Sequence, residues 1–403
     1  MSGIVVIGAG QAGASLVAKL RAEGYAGPLT LLGEEAYPPY QRPPLSKKYL
    51  LGEMPRERLF LRPEAFYAEQ GIDLRLGCRP EAIDRAARLV RIDGQALTYD
   101  QLVLATGARP RRLPQAIGGD LAGVFTLRGM ADVDALAPHM RPGARLLVVG
   151  GGYIGLEAAA VARGLCLNVT LIEAAPRILQ RVAAPETAEY FRKLHQAHGV
   201  DLCEGTGLER LLGEGAVTGA DLSDGRRIDV DLVLAGIGVL PEVALAEAAG
   251  LRCDNGIAVD GQGRSSDPHI WAAGDCASFP WRGGRIRLES VGNAVDMGER
   301  VARNLMGAEE TYQPEPWFWS DQYDIKLQIA GLNHGYEQVV ARPGVRAGSL
   351  SHWYYAGGRL IALDAMNDPR AYMIGRRLLA RGQSPDPAAL ARPETDLKAL
   401  AEA

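Results

Sequence analysis

Six glycines in two groups carry the plainest chemical signal in this 403-residue chain. Gly8, Gly10 and Gly13 stand at G-x-G-x-x-G spacing, and Gly150, Gly152 and Gly155 repeat it. In such a loop the first glycine makes a tight turn. The second lets a pyrophosphate approach the backbone, and the third lets helix and strand pack closely. The phosphates then lie at a helix N-terminus, where unpaired N–H groups and the dipole favour negative charge. An acid at the end of the next strand completes a dinucleotide site by accepting hydrogen bonds from a ribose. Glu34 and Glu35 hold that place in the first copy and Glu173 in the second. One isolated motif is weak evidence. Two copies, each with its acid, imply that the chain binds two dinucleotides.

Both loops need elements to position them. The runs Ile4–Ile7 and 146–149 are short and wholly apolar, as buried parallel strands are. Helical spacing follows each: Leu16 and Leu20 after the first loop, Leu156, Ala159 and Ala160 after the second. Tyr153 and Ile154 fill the second loop. The strands Leu29–Leu32 and 169–172 lead to the acids. Residues 101–104 read as another buried strand, turning at Ala105, Thr106 and Gly107. Residues 231–235 repeat that pattern into Gly236 and Gly238. The stretch 265–275 reads as a strand delivering Gly274 and Asp275 to its carboxyl end, where ligands lie in a doubly wound sheet. An N-cap role for Asp275 on a following helix is the structural alternative. The proline-dense segment 37–48 suits neither a central strand nor a helix interior, and reads as a stiff wall carrying Arg42 and Lys47. Arginine and proline at 109–114 mark a crossing between domains, with Pro241 the return. From 317 an aromatic cluster precedes alternating runs at 326–330, 351–355 and 359–363, which read as antiparallel hairpins. Helices around 372–381 and 394–403 close the chain.

Composition narrows the classes. Apolar residues make up 47% of the chain and charged residues 23%, as in a globular protein. A net charge of −4 gives no reason to expect nucleic acid or another polyanion. The longest apolar stretch, 146–162, holds four glycines and Glu157, and suits a nucleotide fold better than a membrane span. The chain opens almost directly on its first strand, so no targeting segment is expected. Its five cysteines form no CxxC or CxxxxC pair, which suggests neither a redox disulfide nor a metal site. A cytoplasmic setting is expected.

Several blocks carry a resemblance to a known family: 42–47 (Arg-Pro-Pro-Leu-Ser-Lys), 105–107, 150–157, 235–238, 274–276, 288–291 and 316–323. The sequence resembles, over nearly its whole length, the FAD-dependent, NADH-using ferredoxin reductases of bacterial oxygenase systems. The fold class expected is α/β, with two Rossmann-like dinucleotide-binding domains of the glutathione-reductase kind and a C-terminal α+β domain built on an antiparallel sheet. Residues 1–112 and 242–316 would form the FAD domain, 113–241 the NADH domain and 317–403 the C-terminal domain. The resemblance implies FAD, tightly but not covalently bound, at Gly8, Gly10, Ala12, Gly13, Glu34, Glu35, Arg42, Lys47, the backbone of Pro80, Ala105, Thr106, Gly107, Arg128, Gly274, Asp275 and Val291. A proline at position 80 has no N–H, so it cannot serve as a donor. NADH is implied at Gly150, Gly152, Tyr153, Ile154, Gly155, Glu173, Gly236, Gly238 and Glu289. Lys47 paired with Glu157 would orient the reacting flavin edge, and Trp319 would shield the flavin; core packing is the plainer reading of Trp319.

The implied partner is an acidic [2Fe–2S] ferredoxin feeding a heme monooxygenase or a ring dioxygenase, with the reductase a monomer and no metal of its own. A basic face on the helix bearing Arg376, Arg377 and Arg381, or on that bearing Arg300 and Arg303, would dock it, with an ordinary solvated helix face the alternative for each cluster. Glu173, followed by Ala174 and Ala175, favours NADH over NADPH, since a 2′-phosphate would meet like charge. A disulfide or peroxide reductase needs a cysteine after the first ribose acid, and residues 36–51 hold none. Rubredoxin reductase differs only in its acceptor. A non-catalytic NADH-sensing flavoprotein is the remaining alternative.

Overall fold

In a computed structural model, residues 3–402 of the chain are described. They pack as two compact units. One takes in residues 3–42, 55–109 and 239–316; the other takes in 43–54, 110–238 and 317–402.

The first unit is built on a five-stranded parallel sheet. Its order is Ile270–Ala272, Gln101–Leu104, Ile4–Ile7, Leu29–Leu32, Asp73–Arg75. Ile4 stands opposite Leu29 on one side and Gln101 on the other. All residues of the two strands Ile4–Ile7 and Leu29–Leu32 are buried, Thr30 included, because both faces of a parallel sheet are covered. The helices Gln11–Ala22 and Val291–Leu305 pack together, and Gly298 permits it. A Cβ there would lie 2.7 Å from the Ala12 carbonyl oxygen.

The second unit repeats the plan. Its parallel sheet runs Asp201–Glu204, Asn168–Glu173, Arg145–Val149, Leu232–Ala235, Val124–Phe125, with the helix Tyr153–Gly164 after the glycine loop. Each parallel sheet is accompanied by a three-stranded antiparallel meander that the sequence reading missed, at Pro80–Asp84, Leu89–Ile92, Gln95–Thr98 and at Leu208–Leu212, Gly219–Leu222, Arg227–Asp229. Asp93-Gly94 was the available signal. Both residues have positive φ (50° and 74°), as a two-residue hairpin turn demands.

The C-terminal sheet is antiparallel throughout, in the order Trp317–Gln322, Ile325–Gly331, Arg359–Met366, Leu350–Ala356, Gln338–Pro343. The helix Pro369–Arg381 starts on Asp368, whose side chain accepts from the Ala371 N–H. The last helix is shorter than the expected 394–403, covering Leu397–Glu402, and Ala403 lies outside the described residues. A further turn of helix at Pro387–Ala391 follows an Asp386 cap, a start signal the sequence reading passed over.

Two buried polar clusters stand where the C-terminal sheet meets the helix Pro185–Ala197. In one, the Thr187 hydroxyl lies 2.7 Å from His352 Nδ1 and donates to Asp364 Oδ2 at 2.8 Å, beside the Tyr354 hydroxyl, which also donates to Asp364. Burial raises Asp364 to about 6 and lowers His352 to about 4; His195, in the other cluster, is likewise lowered to about 4. The signs oppose. Between pH 6.5 and 4 the unfolded chain protonates both histidines while the folded chain protonates only Asp364. Each buried histidine therefore removes stability as pH falls, on the order of 3 kcal/mol at completion, and Asp364 offsets roughly one of them. Asp364→Asn removes the offset. Its denaturation midpoint is expected to fall more steeply than the wild-type midpoint from pH 6 to 4, and parallel curves would refute this.

Candidate functional site

In the first unit the strands Ile4–Ile7, Gln101–Leu104 and Ile270–Ala272 are parallel, so the loops after them meet at one sheet edge. Gly8 has φ 118°, and a Cβ there would sit 2.1 Å from the Ala105 carbonyl oxygen. A Cβ on Gly13 would sit 2.0 Å from the Gly8 oxygen. A Cβ on Gly10 would meet nothing within 4 Å. The first and third glycines are therefore required by the protein's own packing, while the second faces open space. The helix behind them begins at Gly10 without a side-chain cap. Thr106 donates to the Glu242 carbonyl at 2.6 Å and steadies its turn.

The two acids after Leu32 have different surroundings. Glu35 accepts from Arg42 at 2.6 Å and from the Tyr40 hydroxyl at 2.5 Å. Glu34 is exposed, its closest cation Arg79 at 3.6 Å. Asp275 is not an α-helix cap. It lies in the short turn Gly274–Cys276, and the next α-helix starts at Val291 on a Ser290 cap. The Asp275 carbonyl accepts from Arg287 at 3.1 Å, and Arg287 also pairs with Glu289 at 2.6 Å. Pro80 opens the strand Pro80–Asp84 opposite Ile92.

The second unit reproduces the cradle. Gly150 has φ 108°, and a Cβ there would lie 2.5 Å from the Gly236 oxygen. A Cβ on Gly155 would lie 2.2 Å from the Gly150 oxygen, and one on Gly152 would meet nothing within 4 Å. This helix too starts uncapped. Glu173 accepts from the backbone N–H of Gly151 at 2.7 Å and of Ala175 at 2.8 Å, so it braces its own loop. Arg177 is held by the loop that follows it, donating to the Ala183 carbonyl at 2.8 Å. Ile154 and Ile237 are exposed at the same sheet edge. Tyr153 turns the other way: its ring packs 5.0 Å from Phe318. Two open cradles, uncapped helix starts and nearby acids fit two dinucleotides.

Lys47 lies in the second unit, apart from most of the residues expected around the first nucleotide. Its ammonium lies 2.7 Å from Glu157 Oε2 and donates to the Pro43 carbonyl at 3.3 Å. Ser46 donates to the same Glu157 oxygen at 2.6 Å, and Ser320 donates to Oε1 at 2.7 Å. Glu157 is 6% exposed and Lys47 16%, so this is a nearly dry ion pair. Arg128 also belongs to the second unit, where Asp132 accepts from its backbone N–H at 2.8 Å. Glu289 belongs to the first.

Trp319 is not core. It stacks on Trp317 with centroids 5.5 Å apart, on the side of its strand that faces a cleft of about 230 Å³ lined also by Lys326, Gln328 and Tyr372. Arg300 and Arg303 are both engaged by Glu310. Arg377 and Arg381 are exposed on their helix, and Arg376 lies over Trp317 and Tyr372. The five cysteines are unpaired, and burial pushes the Cys203, Cys253 and Cys276 thiols up, away from the reactive thiolate. Among the described residues no group of His, Cys, Asp and Glu is placed to hold a metal. What sequence reasoning missed is the ring around Glu157: Ser46, Ser320 and, behind Ser320, Gln322 and His195. No periodicity marks them.

Comparison with known proteins agrees with this geometry. Residues 2–298 match the pyridine nucleotide-disulphide oxidoreductase family, and residues 317–401 match the reductase C-terminal family. The chain belongs to the pyridine nucleotide-disulphide oxidoreductases. Among curated relatives, a ferredoxin–NAD(P)(+) reductase from Sphingomonas is 44% identical, over 93% of this chain and 92% of its own length. Among solved structures, the ferredoxin reductase of the CYP199A2 system from Rhodopseudomonas palustris superposes with a TM-score of 0.95 at 42% identity, covering all of both chains. The covalent putidaredoxin reductase–putidaredoxin complex gives 0.95 at 38% identity, covering 99% of this chain and 98% of the other.

Proposed function

We propose that this chain is an NADH-dependent ferredoxin reductase of an oxygenase system, with FAD on the first fold and NADH on the second. The observation that carries the reading is the repeated cradle, shut by packing at its outer glycines and open at Gly10 and Gly152. When bound, FAD supplies two-electron acceptance from a nicotinamide and one-electron delivery to an iron–sulfur carrier. The protein's part is to bind, orient and exclude. The uncapped N–H groups after Gly10 hold the pyrophosphate. Glu34, whose carboxylate is the less engaged of the two acids, takes the ribose hydroxyls, while Glu35 holds Arg42 in place. Asp275, beside the Gly8 loop on the same sheet edge, takes the ribityl or pyrophosphate end. The Lys47–Glu157 pair presents a fixed positive charge to the flavin edge, and Trp319 shields the ring. On the second fold Glu173 accepts from the adenosine hydroxyls while bracing Gly151. Arg177, committed to its own loop, offers nothing to a 2′-phosphate, which supports NADH over NADPH. The exposed Ile154 and Ile237 give the nicotinamide an apolar floor.

The acceptor is an acidic [2Fe–2S] ferredoxin. Arg377 and Arg381, exposed on the helix Pro369–Arg381, form its docking face, rather than Arg300 and Arg303, which Glu310 already engages. The reductase acts as a cytoplasmic monomer, away from membranes and nucleic acid; among the described residues no helix is long and apolar enough to cross a membrane.

Anaerobic stopped-flow absorbance tests the whole reading. The yellow protein is mixed with NADH or NADPH, then with an oxidised [2Fe–2S] ferredoxin or with rubredoxin. Fast bleaching by NADH and onward reduction of ferredoxin are expected. Transfer to rubredoxin alone would change the acceptor, and equal rates with NADPH would remove the role given to Glu173. Slow bleaching into a persistent long-wavelength band would replace catalysis with NADH sensing.

A further inference from the structure

A file of hydrogen bonds runs through the second unit and ends on Glu157. The Tyr323 hydroxyl lies 3.3 Å from His195 Nδ1, and His195 Nε2 lies 2.8 Å from Gln322 Oε1. Gln322 Nε2 donates to Ser320 Oγ at 3.1 Å, and Ser320 donates to Glu157 Oε1 at 2.7 Å. His195, Gln322 and Ser320 are each 0% exposed. At the outer end Tyr323 stacks on the exposed His198, with ring centroids 3.7 Å apart.

Every bond in the file has only one workable direction. Glu157 takes an ammonium and two hydroxyl protons, so it acts as an acceptor throughout. The single Ser320 proton is therefore used toward Glu157, and its lone pair must face the amide NH2 of Gln322. The Gln322 carbonyl is then left for His195, whose Nε2 must carry hydrogen. Nδ1 is thereby the acceptor for Tyr323. Burial holds the imidazole neutral, its pKa lowered to about 4, so one tautomer serves over the whole working range.

We propose that His195 is a positioning residue for the Lys47–Glu157 pair, acting through Gln322 and Ser320. The proposal rests on the reading that Lys47 faces the flavin. Its physical basis is the softness of the intervening torsions. The terminal torsions of Glu157 and Gln322 are broad and two-fold, and a hydroxyl rotates freely. Lys47 and Ser46 both grip Oε2, which leaves the carboxylate able to turn unless Oε1 is also held. Ser320 holds it only while its lone pair is filled, and Gln322 presents its NH2 only while something distinguishes its oxygen from its nitrogen. His195 makes that distinction. One buried N–H thus sets three soft groups and the direction of the Lys47 ammonium.

Two measurements on the flavin-loaded protein test this. Long-range 1H–15N spectra at pH 7 should show His195 neutral with Nε2 protonated; the Nδ1–H tautomer would overturn the proposal. In stopped flow, Ser320→Ala should slow the limiting rate of flavin reduction by NADH about 10-fold, the size of one lost bond to a charged group, and His195→Leu should do the same by freeing Ser320 from its orientation, with the Kd for NADH unchanged in both. His195→Gln, whose amide N–H reaches the same Gln322 oxygen, should recover the rate to within about 2-fold. A wild-type rate in Ser320→Ala, or no recovery in His195→Gln, overturns the proposal. Ser320→Ala and the spectra decide the matter should His195→Leu not fold. Lys47→Ala is run alongside. If it too reduces at the wild-type rate, the role given to Lys47 falls; if it is slow while Ser320→Ala is not, only the positioning role of His195 falls.

Discussion

Lys47→Ala is expected to slow flavin reduction by NADH about 100-fold, the loss typical of one preorganised charged donor aimed at a reacting edge. The same substitution is expected to lower unfolding free energy by about 3 kcal/mol, because it strands a buried carboxylate. The structure ties the two effects together. Glu157 is 6% exposed and pairs with Lys47 at 2.7 Å, so removing the ammonium leaves Ser46 and Ser320 as its remaining donors. Adding Glu157→Gln to Lys47→Ala separates the effects. The double variant strands no charge and keeps an acceptor for one of the two serines, so it should recover most of the stability while flavin reduction stays slow. Urea denaturation and stopped flow on the three proteins check both parts. An unchanged reduction rate in Lys47→Ala would remove the pair from the chemistry, whatever its effect on stability.

The second large effect is a contrast between glycines three positions apart. Gly10→Ala and Gly152→Ala should fold with unfolding midpoints close to wild type, since a methyl group at either position meets nothing within 4 Å and φ is −92° and −82°. They should nonetheless weaken FAD and NADH binding respectively, each by about 100-fold, because the methyl occupies the space through which a pyrophosphate reaches the backbone. Gly13→Ala and Gly155→Ala should do the reverse first. Their methyl groups would lie 2.0 and 2.2 Å from backbone oxygens of Gly8 and Gly150, so strand and helix must separate. An overpacked contact of that kind costs about 3 kcal/mol before any ligand is considered. Fluorescence titration with FAD and NADH, beside thermal melts of the unliganded proteins, reads both halves. If Gly10→Ala bound FAD normally, the open cradle would not be the phosphate site.

The sequence by itself determined the two nucleotide folds, their order in the chain and the antiparallel sheet beyond residue 317. These are short-range properties. A G-x-G-x-x-G loop records a turn and a close approach within a few residues. An apolar run records a strand covered on both faces, and the alternation in residues 326–330 records which side chains share a side. Where a feature depends on partners distant in the chain, only the tertiary structure decided it. The motif spacing offers both Glu34 and Glu35, the resemblance names Glu34 as the ribose acid, and the fold shows Glu35 committed to Arg42 and Tyr40. The sequence marks 37–48 as one stiff segment, but the fold divides that segment, with Arg42 in one unit and Lys47 in the other. It allows Asp275 to cap a helix, but the fold gives the next α-helix to Ser290. His195, Gln322 and Ser320 read as unremarkable polar residues until the fold lines them up behind Glu157. Such contacts leave no footprint in composition or periodicity, because a buried hydrogen bond constrains two positions and says nothing about the chain between them.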